Sequence, residues 1–285
     1  MKKIIGKITA VIAVTAMVIT GLTPIEARTE SIGSNVFEMD CDEEYTSYDI
    51  TGDGVPDSIT LAMGKRNDDG DADGFNIMIN GSECFVSTQR TSYAEMTLIK
   101  LKSGSQYLYV RDFIENDDYN LCEFLRYDAA KDELVKVCNA DPMVRFGIHT
   151  DCDPYFANGA KIYCIGGGML DSTGATSYDV IFTEKNGKLV FSSLDFKGFT
   201  TMKTASKKNN TTKKLTLARN MKAYTSTALK KTKTFKKGKK ITFTSMKVKG
   251  RNLLYGFKVS GKTYYYRPDD RTVENDQFKD VLFAG

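Results

Sequence analysis

Two-residue turn signals punctuate this chain and constrain its fold more than any other feature. Asn80-Gly81, Ser103-Gly104, Asn186-Gly187 and Ser260-Gly261 each stand between short runs of alternating apolar and polar residues. A residue tolerant of positive φ followed by glycine closes a tight antiparallel hairpin, because its twist matches that of the flanking strands. The expected strands are Ser58–Met63, Phe75–Ile79, 82–86, 97–101, Tyr107–Phe113, 119–127, 133–139, 178–183 and 189–193. No segment shows a convincing long helical period. The expectation is a mainly β protein whose N-terminal antiparallel β-domain is a partial propeller or a stack of sheets.

Charge divides the chain in two. Residues 28–200 hold 15 Lys+Arg against 30 Asp+Glu, a net of −15; residues 201–285 hold 22 against 5, a net of +17. The formal net charge of +4 hides these opposed halves, which read as two modules with different partners. The first 27 residues read as a secretory signal peptide: Lys2, Lys3 and Lys7, an apolar run from Ile8 to Leu22, then a polar stretch ending at Ala27. An uncleaved anchor is the alternative, but the run is shorter than the roughly 20 residues that span a bilayer. After cleavage no apolar segment is long enough to cross a membrane. The expected division is 1–27 signal peptide, 28–199 acidic β-domain, 200–214 polar linker and 215–285 basic domain, the protein being extracellular.

All six cysteines, at 41, 84, 122, 138, 152 and 164, lie in the acidic half. In an exported domain an even count fits three disulfides with 15 connectivities. Strands 119–127 and 133–139 flank the turn DAAKDE, so a Cys122–Cys138 bridge is expected; small buried thiols are the alternative.

The segment DITGDGVPD, residues 49–57, places Asp49, Thr51, Asp53 and Asp57 at alternate positions, with Gly52 and Gly54 for sharp turns. Oxygen ligands so spaced suit calcium, and carboxylates so close repel one another without a cation. The longer phrase DITGDGVPDSITL, 49–61, resembles the calcium loop and exit strand of FG-GAP or VCBS-type repeats, the blades of integrin-α-like propellers. That resemblance implies that Asp49, Thr51, Asp53 and Asp57 side chains and the Val55 carbonyl hold calcium; Thr51 stands where the family more often has Asn or Asp. The phrase occurs once, where a full propeller repeats it. A second acidic run, NDDGDADGF at 67–75, sets Asp69, Asp71 and Asp73 in the order that opens an EF-hand loop, but position 12 is Asn80 rather than a bidentate Glu. It reads first as a solvated loop and second as a weak ion site.

In the basic half, MKAYTST (221–227), KKGKKITF (236–243) and YGFKVSGKTYYYRP (255–268) resemble a bacterial SH3-like domain, a small β-barrel. The resemblance implies binding to cell-wall peptides or polymers. Independently, the lysine run Lys230, Lys231, Lys233, Lys236, Lys237, Lys239 and Lys240 would attract a polyanion in a salt-sensitive way. Tyr264, Tyr265, Tyr266 and Arg267 stand near it in sequence; a merely solvated lysine face is the bland alternative. A cell-wall polymer or peptide is the expected partner rather than nucleic acid.

Little points to catalysis. His149 is the single histidine and no nucleophile-base order surrounds it; Asp151 and Asp153 could form a carboxylate pair, but the adjacent Pro154 suggests a turn; Gly166–Gly168 lack the Lys-Ser/Thr of a phosphate loop and read as a flexible strand connection. The sequence therefore reads as a secreted, calcium-binding, wall-associated binding protein. The alternative is an extracellular hydrolase with catalytic carboxylates in the acidic domain.

Overall fold

The computed structural model describes residues 35–114, 121–141, 151–170, 174–191, 195–202, 211–249, 252–267 and 277–279. The segment 1–27, His149 and the central part of the expected linker, 203–210, lie outside the described residues.

Twenty-two strands and no helix occur among the described residues. They are β1 Val36–Met39, β2 Glu44–Tyr48, β3 Asp57–Met63, β4 Phe75–Ile79, β5 Ser82–Ser87, β6 Tyr93–Lys100, β7 Gln106–Phe113, β8 Cys122–Asp128, β9 Glu133–Asn139, β10 Asp151–Asn158 and β11 Lys161–Leu170. There follow β12 Gly174–Lys185, β13 Lys188–Phe191, β14 Asp195–Met202, β15 Thr211–Thr212, β16 Lys214–Leu217, β17 Met221–Tyr224, β18 Thr232–Phe235, β19 Lys240–Lys249, β20 Asn252–Val259, β21 Lys262–Tyr266 and β22 Phe278–Lys279. The protein is mainly β, as the turn signals imply. Asn80 and Gly81 take φ of 52° and 80°, and Asn186 and Gly187 take 53° and 71°, the paired positive angles of tight hairpins.

Three sheets lie in layers. A central five-stranded sheet runs β1-β6-β7-β8-β9. On one face, Met96, Leu98, Leu108, Val110 and Leu125 pack against Ile59, Leu61, Ile77 and Ile79 of the four-stranded sheet β2-β3-β4-β5. On the other, Ile99, Tyr107, Tyr109 and Phe124 pack against Ile162, Val180, Phe182 and Leu189 of the large sheet. Seven of the eight residues of β7 are buried, because a strand covered on both faces has no polar side to present. The described sheets of the acidic half pack face to face.

The large sheet crosses the charge boundary. Its strands run β10-β11-β12-β14-β19-β20-β21-β17-β18, with β13, β15, β16 and β22 attached at its sides. The junction is the pairing of Asp195 with Lys247 and Phe196 with Met246. Tyr178, Val180 and Phe182 of the acidic half share one apolar cluster with Phe243, Tyr255 and Phe257 of the basic half. Strands β14, β15 and β16 enter the expected linker from both sides. The expected SH3-like barrel is not closed among the described residues: the basic strands extend the open sheet, and β18 ends it. The two halves are thus continuous in backbone hydrogen bonding despite their opposite charge.

Two other expectations change. Pro154 sits within β10, at an irregularity between Pro154 and Phe156, rather than in a turn. Gly166, Gly167 and Gly168 lie inside β11. Gly166 is opposite Tyr178, and a Cβ there would stand 2.5 Å from the buried ring, so the glycine makes room for the tyrosine.

The expected disulfides are absent: all six cysteines are free thiols. Phe124, not Cys122, stands opposite Cys138, while Ala140 N donates to Cys122 O. The two thiols are therefore diagonal neighbours. Such neighbours lie about 7–8 Å apart, beyond the roughly 4.4–6.8 Å between Cα atoms that a disulfide spans. Cys122, Cys152 and Cys164 instead fill the core, with Cys138 packed against it, and burial pushes the Cys138 thiol up to about 12.

Candidate functional site

The acidic loop precedes β3 and closes on itself. Asp49 Oδ1 accepts from the amides of Gly52 at 2.7 Å and Asp53 at 3.2 Å, while Oδ2 accepts from Gly54 at 2.9 Å. Asp53 Oδ1 accepts from Val55 N at 2.8 Å. Gly52 and Gly54, with φ of 81° and 89°, turn these amides toward the carboxylates. Asp57 is 1% exposed: its Oδ2 accepts from Ile50 N at 2.6 Å and Thr51 N at 2.9 Å, and its Oδ1 from Thr51 Oγ1 and Asn80 Nδ2. Burial opposes its charge, but these four donors outweigh it and hold the carboxyl below its usual value.

The loop's negative charge is thus met by its own amides. Among the described residues no group of three or more His, Cys, Asp or Glu side chains is drawn together in a way that could hold a metal ion. Asp57 faces inward. Asp49, Asp53 and Val55 stay at the surface, with the Val55 side chain 61% exposed. The residues present are hard oxygen donors suited to calcium, but the loop does not gather them as a cage.

The second acidic run is a braced turn. Asp71 is buried and accepts from Ser92 Oγ at 2.7 Å and Arg90 Nε at 2.7 Å, contacts that lower its carboxyl below the usual range, the Ser92 bond most. The amides of Asp69 and Asp71 are capped by the Asn67 side chain, and Asp73 is exposed. Three oxygens pointing at one centre is not what this run presents.

The basic half presents a concavity. A groove of about 550 Å³ is lined by Lys233, Thr234, Phe235, Lys236, Lys237, Gly238 and Lys239 on one side, with Val259 and Ser260 on the other. Gly238, at φ 82°, turns the chain so that its amide donates to Leu217 O, and Asn220 Oδ1 accepts from Lys237 N. These bonds fix the lysine-bearing turn between β18 and β19. Lys233 Nζ lies 5.5 Å from the centroids of both Phe235 and Tyr264. Among the described residues no acidic side chain lines the groove. Of the seven lysines singled out in the sequence, Lys233, Lys236, Lys237 and Lys239 converge here. Lys230, Lys231 and Lys240 are exposed beside it without lining it.

A third cluster escaped the sequence. Arg111, 6% exposed, pairs through NH2 with Glu95 at 3.0 Å and through NH1 with Asp153 at 2.9 Å, and stacks on Phe113. Burial raises the Glu95 carboxyl, against the lowering effect of Arg111. Tyr109 Oη also donates to Asp153 at 3.4 Å. One guanidinium holds both carboxylates and ties the central sheet to β10. No short motif encodes this, since the partners are 16 and 42 residues from Arg111. The groove's far wall was equally hidden: the Ser260-Gly261 hairpin is legible, its placement beside the KKGKK turn is not. In comparisons with protein-family models, curated proteins and solved structures, nothing matched this chain.

Proposed function

We propose that the protein is an exported, envelope-associated binding protein that grips an extended anionic partner in the groove between β18 and the β20–β21 turn. The carrying observation is that Lys233, Lys236, Lys237 and Lys239 line one concavity that no acidic residue lines among the described residues. Like charges held together over a shared space raise the local concentration of a polyanion, and binding weakens as salt screens them. Export rests on the pattern of residues 1–27. The likeness to SH3-like wall-binding modules points to the same class of partner, a cell-wall polymer or peptide.

Calcium is the second component of this reading. We propose it for Asp49, Thr51, Asp53, the Val55 carbonyl and Asp57 on their oxygen-donor chemistry and the likeness to FG-GAP-type repeats; binding requires the loop to turn toward one centre the donors that its own amides now hold. Its contribution there is structural and small, because a site of millimolar to submillimolar affinity adds only modest stability at extracellular calcium.

The test is retention of the full chain on purified cell wall at low and high salt. Binding at about 50 mM salt that falls steeply by 200 mM, and is lost in a Lys233→Glu, Lys236→Glu, Lys237→Glu, Lys239→Glu variant, supports the proposal. No retention at low salt overturns it. The alternative of a hydrolase has Glu95 and Asp153 as its carboxylate pair, but both are held by Arg111 rather than left to exchange protons.

A further inference from the structure

Strand β18 is the terminal strand of the large sheet, and among the described residues it pairs with β17 alone. Its register with β17 fixes which backbone groups that pairing consumes. Thr225 N donates to Lys231 O at 2.9 Å, and the same register joins Ala223 to Lys233 and Met221 to Phe235. Antiparallel pairs alternate between those that exchange hydrogen bonds and those that do not. Lys222–Thr234 and Tyr224–Thr232 are therefore the non-bonded pairs. The pairing of Tyr224 with Tyr265 of β21, on the other side of β17, agrees with this assignment. The N–H and C=O groups of Thr232 and Thr234 point away from β17, toward the sheet's free edge. Both threonines are exposed, and Thr234 also lines the lysine groove.

An open edge invites another strand, and lysines on it discourage pairing with a second basic edge. The same lysines favour a strand of opposite charge, so repulsion of one partner and attraction of another come from one set of residues. From the free edge and the flanking charge together we infer that the anionic partner is an extended acidic peptide. It adds to β18 as an extra strand, main chain to main chain at Thr232 and Thr234. Its carboxylates reach Lys233, Lys236 and Lys237, and its apolar side chains meet the Phe235 and Val259 walls of the groove. Main-chain bonds supply the pairing and side-chain pockets the selectivity, as in other strand-addition complexes. This inference deepens the proposed function and rests on it.

The experiment titrates the full chain with a labelled peptide of alternating Glu and Val, and in parallel with inorganic polyphosphate. Thr234→Pro deletes an N–H that β17 does not use, and proline is tolerated on that side of an edge strand. Thr234→Pro is expected to weaken the peptide at least tenfold and polyphosphate less than twofold. Should that variant fold poorly, the same peptide N-methylated at alternate amides, titrated into the unaltered protein, must lose binding to the same extent. Equal peptide affinity for the native chain and a folded Thr234→Pro variant, or full affinity for the N-methylated peptide, would overturn the strand addition. Polyphosphate binding with no peptide binding would also overturn it while leaving the basic groove intact. Binding of neither would remove both.

Discussion

The acidic loop at 49–57 and the lysine groove at 233–239 handle charge in opposite ways. In the loop, Asp49, Asp53 and Asp57 each accept bonds from the protein's own amides, and Asp57 takes four donors while nearly excluded from water. In the groove, four lysines line a shared concavity whose described lining holds no carboxylate. A density of like charge in sequence therefore says little by itself. What matters is whether the fold supplies the counter-charge or leaves it to a partner. The loop spends its charge on structure, and the groove keeps its charge available.

The sharpest way to break this contrast is to reverse the groove. Glutamate at 233, 236, 237 and 239 together is expected to lower affinity for an anionic polymer at least 100-fold at low salt. It should leave the melting temperature within a few degrees, because all four side chains are exposed. Isothermal titration beside thermal unfolding separates the two effects, and a collapse in stability would make these lysines structural.

The loop should answer in the other currency. Asp57→Ala leaves four donors without their acceptor in a buried site and is expected to cost about 2–4 kcal/mol of stability, with no loss of anion binding. Denaturant unfolding measures it; a change under about 0.5 kcal/mol would mean that water replaces the carboxylate without penalty.

Acidification sharpens the same point. The Asp57 and Glu184 carboxyls are both held below their usual values: burial acts against each, and hydrogen bonds to each prevail. Groups with depressed folded values bind fewer protons in the native state. Their stabilisation is complete above the unfolded range near pH 4 and is lost as pH falls through the lower folded values. Stability measured from pH 7 downward should stay flat to about pH 5 and then drop. Asp57→Asn should flatten part of that drop, and an unchanged acid limb would remove Asp57 from the account.

Calcium gives the smallest expected effect. One millimolar calcium at a site of 10⁻⁴–10⁻³ M affinity stabilises the fold by roughly 0.4–1.4 kcal/mol. Thermal unfolding with and without calcium should show a rise of a few degrees that Asp53→Ala lacks. Asp53 is the discriminating position, because among the described residues it accepts the Val55 amide alone, whereas removing Asp49 strips three amides whether or not calcium binds. No shift in the native protein would leave the amides as the loop's only counter-charge.

Much of the fold was legible where the signal is local. The hairpins at Asn80-Gly81, Asn186-Gly187 and Ser260-Gly261 appear where their residues ask for positive φ, and Phe75–Ile79 and 133–139 match their strands at both ends. Strands β10 and β11 were hidden, since Pro154 and three consecutive glycines carry the composition of turns. Only the Tyr178 ring across the sheet explains why Gly166 belongs in a strand. The cysteines show the same limit: a hairpin brought Cys122 and Cys138 onto neighbouring strands, but a two-residue offset kept them apart.

The sequence alone determined the β character, the hairpins, the glycine-turned acidic loop and the lysine-rich turn, because these depend on dihedral preference and on neighbours a few residues away. Tertiary structure decided the rest. It joined the opposed halves through Asp195–Lys247 and Phe196–Met246, selected four of seven lysines for one groove, and bound Glu95 and Asp153 to Arg111. Which strand lies beside which, and which charges meet, is set by burial of shared apolar surface over separations of tens of residues. No local pattern records that choice.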